Sequence, residues 1–390
     1  MNQLARYFKN NIRQNGMVMA LIAIMVLFQI LTQGILFHPM NVNNLVLQNA
    51  YVLILATGML LCILTGNIDL SVGSVVAFVG AVSAVLMVDW GIPVGITIPL
   101  ALLIGILIGA FHGYFIAYWR IPAFIVTLAG MLLWRGLTMV ILKGTTKSPF
   151  HKSFQALAAG YLPGREIRIG SFNTIALIFG FVLSIILIVM ALKSRHNKMK
   201  YGFEVLPAWM EFVKLAFLVL AVNLLTFSLA DYNGIPIVLI LLLVLISLYT
   251  FITQRTIFGR HVYALGGNEK AAKLSGVKTR RVMFLVYTNM GMLAALAGLV
   301  VAGRLNAATP KAGLNFELDA IASCFIGGAS ASGGIGTVVG AIVGGLVMGV
   351  LNNGMSIMGV SVDWQQAIKG LVLLGAVFFD VVTKSRTQGS

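Results

Sequence analysis

The chain has 390 residues, of which 59% are hydrophobic and only 10% charged, with a mean hydropathy of +0.96. Soluble domains carry about 25% charged residues, so this composition excludes a soluble globular protein and reads as an integral membrane protein. The formal net charge of +16 is no sign of nucleic-acid binding, because Lys and Arg gather in a few loops, as they do at the cytoplasmic face of membrane proteins.

A membrane-spanning helix takes about 20 apolar residues. In chain order the apolar runs cover roughly 17–37, 46–65, 70–88, 93–117, 122–142, 172–192, 212–230, 236–254 and 282–302. Further apolar pieces follow near 318–331, 335–351 and 366–382. They predict an all-α integral membrane protein, a polytopic bundle of about 10–12 transmembrane segments. The piece 318–331 is short for a crossing and reads as half of a broken or re-entrant helix, as does the region near 65–75. No soluble domain or long linker interrupts the pattern, so 1–390 reads as one transmembrane domain. The first run lacks a small-residue cleavage site and reads as a first span rather than a signal peptide.

Arg6, Lys9 and Arg13 place the N-terminal tail in the cytoplasm. Parity then puts loop 193–211 there, with Lys193, Arg195, Lys198 and Lys200. It also puts loop 255–281 there, with Arg255, Arg260, Lys270, Lys273, Lys278, Arg280 and Arg281. The C-terminal tail with Lys384 and Arg386 returns to the same side if the last three pieces all cross. One loop conflicts with the charge rule. Residues 143–171 fall outside by parity, yet carry Lys143, Lys147, Lys152, Arg165 and Arg168 against Glu166. Cys62 and Cys324 lie inside apolar runs and read as small buried hydrophobes without a disulfide.

Catalytic patterns are lacking. There is no Gly-x-x-x-x-Gly-Lys-Ser/Thr phosphate loop. The histidines are scattered, no metal-ligand spacing occurs, and no Ser/His/Asp grouping stands out. No catalytic residue, no metal ligand and no bound cofactor is assigned, and the chain reads as something other than an enzyme.

Polar residues inside the apolar runs are the candidates for function. In Gly66–Ser74, Asn67, Asp69 and Ser71 stand between two apolar runs. A carboxylate at membrane depth is costly unless paired or hydrated. Asp69 and Ser71 suit the cap of a half-helix starting inside the membrane, with direct substrate contact the less favoured reading. Glu317 and Asp319 precede a later apolar stretch, and Asn352 and Asn353 end another. Such groups suit sugar hydroxyls, although interhelical bonds or caps are the more common use. Thr127 lies in the run Pro122–Met131. These residues form the candidate translocation pathway or helix breaks. Ile68-Asp69-Leu70-Ser71 and Glu317-Leu318-Asp319-Ala320 each open an apolar run, a weak internal echo. Gly105, Gly109 and Gly113, and again Gly336, Gly340 and Gly344, form ladders that let helices approach closely in lipid.

The most specific polar segment is Gly266–Val277. It reads as a short closed helix. Asn268 is suited to N-cap it, Glu269 sits where the helix dipole favours an anion, and Gly276 can end it in the left-handed conformation. Ala271, Ala272 and Leu274 supply a small apolar face for a soluble partner.

The runs Gly66–Ser74, Pro122–Met131, Ala264–Gly276, Glu317–Ala322 and Ile326–Ser330 together resemble the permease subunits of bacterial monosaccharide ABC importers. The likeness covers most of the chain in family order. The stretch 193–235 and Asn352–Ser356 are similar to the xylose and multiple-monosaccharide branch rather than to ribose or arabinose permeases. The resemblance implies a bacterial inner-membrane location, with both termini cytoplasmic, and a pair of permease subunits. It also implies cytoplasmic ATPase subunits that bind ATP and Mg, and a periplasmic sugar-binding protein. Asn268 to Ser275 would be the coupling helix, docked in a groove of the ATPase. Lys270 and Lys273 make it more basic than the family's plainer pattern. Two other readings remain: a secondary transporter driven by an ion gradient through Asp69 or Asp319, and an ABC permease for branched-chain amino acids.

Overall fold

A computed structural model describes the backbone of residues 12–388 except 165, 204 and 206, and side chains from 16 to 378. Arg6, Lys9 and Arg165 lie outside the described residues, as do the side chains of Arg13, Lys384 and Arg386. The chain is all-α apart from one two-residue hairpin. The helices are α1 (Ile12–Leu31), α2 (Pro39–Leu64), α3 (Val72–Ala84, continued by a π turn Val85–Asp89), α4 (Val94–Ala117) and α5 (Ala123–Leu142). A short α6 (Lys152–Ala159) and the antiparallel pair β1 (Arg168–Ile169) and β2 (Phe172–Asn173) precede α7 (Thr174–Lys200), α8 (Ala208–Asp231) and α9 (Ile237–Arg255). Then follow α10 (Ile257–Gly267), α11 (Glu269–Leu274), α12 (Thr279–Leu305), α13 (Phe316–Ile326), α14 (Val338–Ile357) and α15 (Val362–Gln388).

Among the described residues, nine helices are long and apolar enough to cross a membrane. The long starts are set by proline: Pro39 opens α2, and Pro93, Pro122, Pro207 and Pro236 immediately precede α4, α5, α8 and α9. Proline has a fixed φ and no N–H to lose, so it suits the first turn of a helix. The expected run 17–37 is shorter as a helix, because Gly34, at φ +93°, turns the chain into a 3-10 turn at Ile35–Phe37. The expected piece 318–331 is the eleven-residue α13, ending at Gly327, and is too short to cross alone.

Helices α2, α12 and α14 form the centre. In their most apolar stretches 83%, 67% and 72% of positions are buried, against 17% in α7 and 11% in α8, which form a peripheral hairpin. The first glycine ladder joins α4 to α12: a Cβ at Gly105 would lie 2.5 Å from the Gly291 carbonyl oxygen, and one at Gly109 2.3 Å from that of Tyr287. The second joins α14 to the end of α13, where a Cβ at Gly344 would lie 1.9 Å from the Ser323 carbonyl oxygen. Both ladders are close-packed seams, as small residues allow in lipid.

The conflicting basic loop 143–171 has a local explanation. Lys147 pairs with Asp89 and bridges to Ala308 through its backbone. Arg168 donates to the carbonyls of Ser171 (3.2 Å) and Tyr232 (3.1 Å). Phe154 and Ala158 of α6 pack on Gly303 of α12. Lys147 and Arg168 thus tie this loop down as an ordered cap on one end of the bundle. Cys62 and Cys324 are buried free thiols.

Candidate functional site: two helix breaks and a short capped helix

The first break follows Leu64. Gly66 turns at φ +76°, and the chain reaches Asp69, which is only 2% exposed. Asp69 Oδ1 accepts from the Ser71 backbone N–H (2.8 Å) and from the Ser71 hydroxyl (2.6 Å). Asp69 therefore takes the free N–H at the head of α3, and Ser71 makes no cap bond with its own side chain. The Ser71 hydroxyl instead lies 3.3 Å from His112 Nδ1 on α4. Trp134 of α5 donates its indole N–H to His112 Nε2 at 3.1 Å. An indole nitrogen only donates, so Nε2 accepts, the ring proton sits on Nδ1, and the chain of donors runs from Trp134 to Asp69. Gly130 makes room for this ring, since a Cβ there would lie 2.4 Å from His112 Nε2. Asn67 turns back on the Thr65 carbonyl at 3.0 Å. Thr127 is fully buried and bonds the Ala123 carbonyl of its own helix at 2.9 Å.

The second break is α13. Asn315, at φ +63°, precedes it, and Glu317 and Asp319 lie in its first turn. Asp319 is 2% exposed, accepts from the Tyr51 hydroxyl at 2.9 Å and pairs with Lys369 of α15 at 3.0 Å. Tyr51 also stacks on Phe316, with ring centroids 3.8 Å apart. The head of α13 meets the head of α3: a Cβ at Gly73 would lie 2.2 Å from the Gly313 carbonyl oxygen and 2.4 Å from Glu317 Oε2. Arg135 of α5 holds the approach to α13, donating to the carbonyls of Pro310 (3.1 Å) and Ala312 (2.6 Å). The two segments of the weak sequence echo are thus spatial partners: the start of α3, which with its π turn is long enough to span, meets the start of the short α13.

Asn352 and Asn353 belong elsewhere. Asn353 and Asn41 exchange a reciprocal amide pair at 2.9 and 3.0 Å, joining α14 to the start of α2. Asn352 Oδ1 is buried without a partner.

The short capped helix is α11. Asn268 Oδ1 accepts from the Ala271 N–H at 3.0 Å, Glu269 occupies the first turn, and Gly276 has φ +84°. The apolar face is divided: Ala272 is 5% exposed and packs inward, whereas Leu274 is 89% exposed and projects from the protein. In so short a helix those two residues lie on opposite sides, about 200° apart at about 100° per residue. The preceding amphipathic α10 (Gly259, Val262 and Leu265 inward) seats α11 against the bundle. The loop reading alone did not separate it from α11.

The end of α10, just before α11, is a junction of backbones. A Cβ at Gly266 would lie 1.6 Å from the Leu64 carbonyl oxygen and 2.7 Å from the Gly334 nitrogen. The Gly334 N–H donates to that same Leu64 oxygen at 2.9 Å. A Cβ at Gly333 would lie 2.9 Å from the Gly66 nitrogen and 3.0 Å from the Gly266 oxygen. Tyr263 adds the one side-chain tie, donating to the Gly336 carbonyl at 2.7 Å. Burial pushes its phenol pKa above its ordinary value. Three segments meet here: the end of α2 before the first break, the end of α10 before α11, and the α13–α14 loop after the second break. Their sequence separation hid the junction. The scatter of the histidines along the chain offers no reason to single out His112, and only its Asp, Ser and Trp neighbours in space reveal it.

A family model described as the branched-chain amino acid transport system / permease component matches residues 41–377. The chain is 38% identical over 376 residues to the xylose transport system permease protein XylH of Haemophilus influenzae, covering 96% of this chain and 98% of that protein. The chain belongs to the ribose/xylose family of ABC-importer permeases. It is 39% identical over 378 residues to XylH of Escherichia coli (97% and 94% covered), and 35% identical over 374 residues to the ribose import permease protein RbsC of Bacillus subtilis (96% and 94% covered). No solved structure matches the chain. Within this family the nine apolar helices are those of a multi-pass membrane permease.

Proposed function

We propose that this permease passes xylose or a related aldose across the bacterial inner membrane, driven by separate ATPase subunits. The observation that carries the coupling is the rooting of α11 on both helix breaks through Gly266, Leu64 and Gly334. A push on α11 reaches the head of α3 and the loop behind α13 together. The cargo reading is supported by the higher identity to the xylose permeases than to the ribose permease. Two permease subunits, here two copies of this chain, pair around the pathway. A periplasmic binding protein supplies sugar, and the cytoplasmic ATPases hold ATP and Mg, so this chain carries no cofactor and catalyses no reaction. Both termini lie in the cytoplasm with α11, and 1–390 act as one transmembrane domain.

Leu274 inserts into the ATPase groove, with Glu269, Lys270 and Lys273 around it. Asn268 and Gly276 hold the shape of α11, while Ala272 seats it on the permease. Asn67, Asp69, Ser71 and Thr127 maintain the first break, and Asn353 ties α14 to α2. Glu317, Asp319 and Asn352 are the candidates for the sugar path.

The test is reconstitution of the chain in proteoliposomes with the ATPase and binding protein encoded beside it. ATP-dependent xylose uptake is expected. Leu274→Glu should abolish it while leaving protein yield and melting temperature unchanged. Uptake by the permease alone on a proton or sodium gradient would overturn the reading, and leucine uptake in place of xylose would overturn the cargo.

A further inference from the structure

The α7–α8 hairpin ends in a feature that sugar transport does not use. Lys193, Ser194, Asn197 and Lys198 of α7, Tyr201 and Phe203 of the following turn, and Arg255 at the end of α9 line a cavity of about 550 Å³. Lys193, Lys198 and Arg255 form no ion pair among the described residues, whereas neighbouring Arg195 is taken by Glu211.

The depth of this cavity is set by the helices. The apolar run of α7 ends at Leu192, about 27 Å along the helix from Thr174 at about 1.5 Å per residue. That is close to the hydrocarbon thickness of about 30 Å, so Lys193 sits where headgroups begin. Arg255 ends α9 at the same level. Above the cavity, α7 packs along α8 and leaves Phe181, Ile185, Val189 and Met190 exposed. Met190 is also part of the cavity wall, so the exposed apolar face runs into the basic mouth without a break. One end is apolar and membrane-facing, the other cationic and at headgroup depth. The shape suits a molecule with the same division.

We infer that this cavity is a binding site for an anionic glycerophospholipid, its phosphodiester held by Lys193, Lys198 and Arg255 and its acyl chains laid against α7. Ser194, Asn197 and Tyr201 add hydrogen-bonding groups for the phosphate and glycerol oxygens. Basic pockets between helices at this level favour acidic headgroups. An ATPase is the less suitable occupant, because the cavity's wall continues into the exposed apolar face of α7 through Met190, and the exposed Leu274 already offers that partner a contact. The inference does not depend on the cargo.

The test uses full-length, delipidated permease titrated with phosphatidylglycerol or phosphatidylcholine and read by native mass spectrometry. Phosphatidylglycerol should bind in preference to phosphatidylcholine, and excess inorganic phosphate should not displace it. Each of Lys193→Gln, Lys198→Gln and Arg255→Gln should weaken phosphatidylglycerol binding about fivefold, with phosphatidylcholine unchanged. The triple variant Lys278→Gln, Arg280→Gln, Arg281→Gln removes three cations elsewhere in the same basic region and should leave it unchanged. Equal losses in both sets of variants would reduce the effect to net charge and overturn the site. Displacement by free phosphate would make it a simple anion site. Unchanged lipid binding with lost ATPase association would make it a protein dock. Lipid-free melting temperatures separate a misfolded variant from a failed site, and Lys193→Arg, which keeps the charge, should restore binding.

Discussion

The central helices and the α7–α8 hairpin are both apolar, yet they use their polar residues in opposite ways. In α2, α12 and α14 most positions are buried, and the polar groups around them are tied across helices: Asp69 through the Ser71 hydroxyl to His112, Asp319 to Tyr51 and Lys369, Asn353 to Asn41. In α7 and α8 few positions are buried, and the side-chain polar ties between them are Asn223 donating to Ser184 at 2.7 Å and the Arg195–Glu211 ion pair near the ends. The hairpin needs only to lie in lipid, whereas the centre must keep several broken segments in register. Apolar composition is therefore a poor guide to how much a region tolerates change. Close backbone approach and cross-helix polar chains are better guides.

The sharpest way to break this contrast is Gly266→Ala. The added Cβ has backbone on both sides and nothing flexible to displace. We expect a loss of about 3 kcal/mol or more, seen as a lower melting temperature, together with near-complete loss of ATP-driven uptake. Gly267→Ala is the control, since nothing lies within 4 Å of its Cβ, and it should stay within about 0.5 kcal/mol. Equal behaviour of the two variants would remove the junction from the mechanism.

Next is His112→Ala, which strands the Trp134 indole N–H and frees Ser71. A buried group without its partner costs about 1–3 kcal/mol, readable by thermal unfolding in detergent. A variant as stable as the parent would show the chain from Trp134 to Asp69 to be ornamental. Smaller still is Asn223→Leu in the hairpin, expected at about 0.6 kcal/mol, the mean for interhelical bonds in membranes. At the foot of the series stands Val189→Leu, 56% exposed on α7. It should stay within about 0.5 kcal/mol and leave uptake unchanged. A large effect there would mean that the hairpin has a protein neighbour.

The spans were legible because hydropathy alone decides them, and α11 was legible because a capped polar helix in an apolar chain needs Asn and Gly at fixed offsets. The head-to-head meeting of α3 and α13 was visible only as a short echo around Asp69 and Asp319. What stayed hidden has a common cause. Gly66, Gly266, Gly333 and Gly334 meet through main-chain atoms, which carry no residue-specific signature, and they come from positions far apart in the chain. His112 gains its role from Trp134 and Asp69, again non-local. The division of Ala272 from Leu274 follows from how α10 seats the helix, and α10 itself was merged into the basic loop.

A joint made of main chain has a mechanical property that one made of side chains lacks. Rotamers can flip and absorb a small displacement, so a side-chain contact behaves like a soft spring with slack. The contact of Gly266 with Leu64 and Gly334 has no torsions of that kind. If α11 is displaced as the proposed coupling requires, an ångström of travel there should arrive as nearly an ångström at both breaks, without delay for repacking. The cost of that stiffness is intolerance, because no larger residue can be fitted at the pivot.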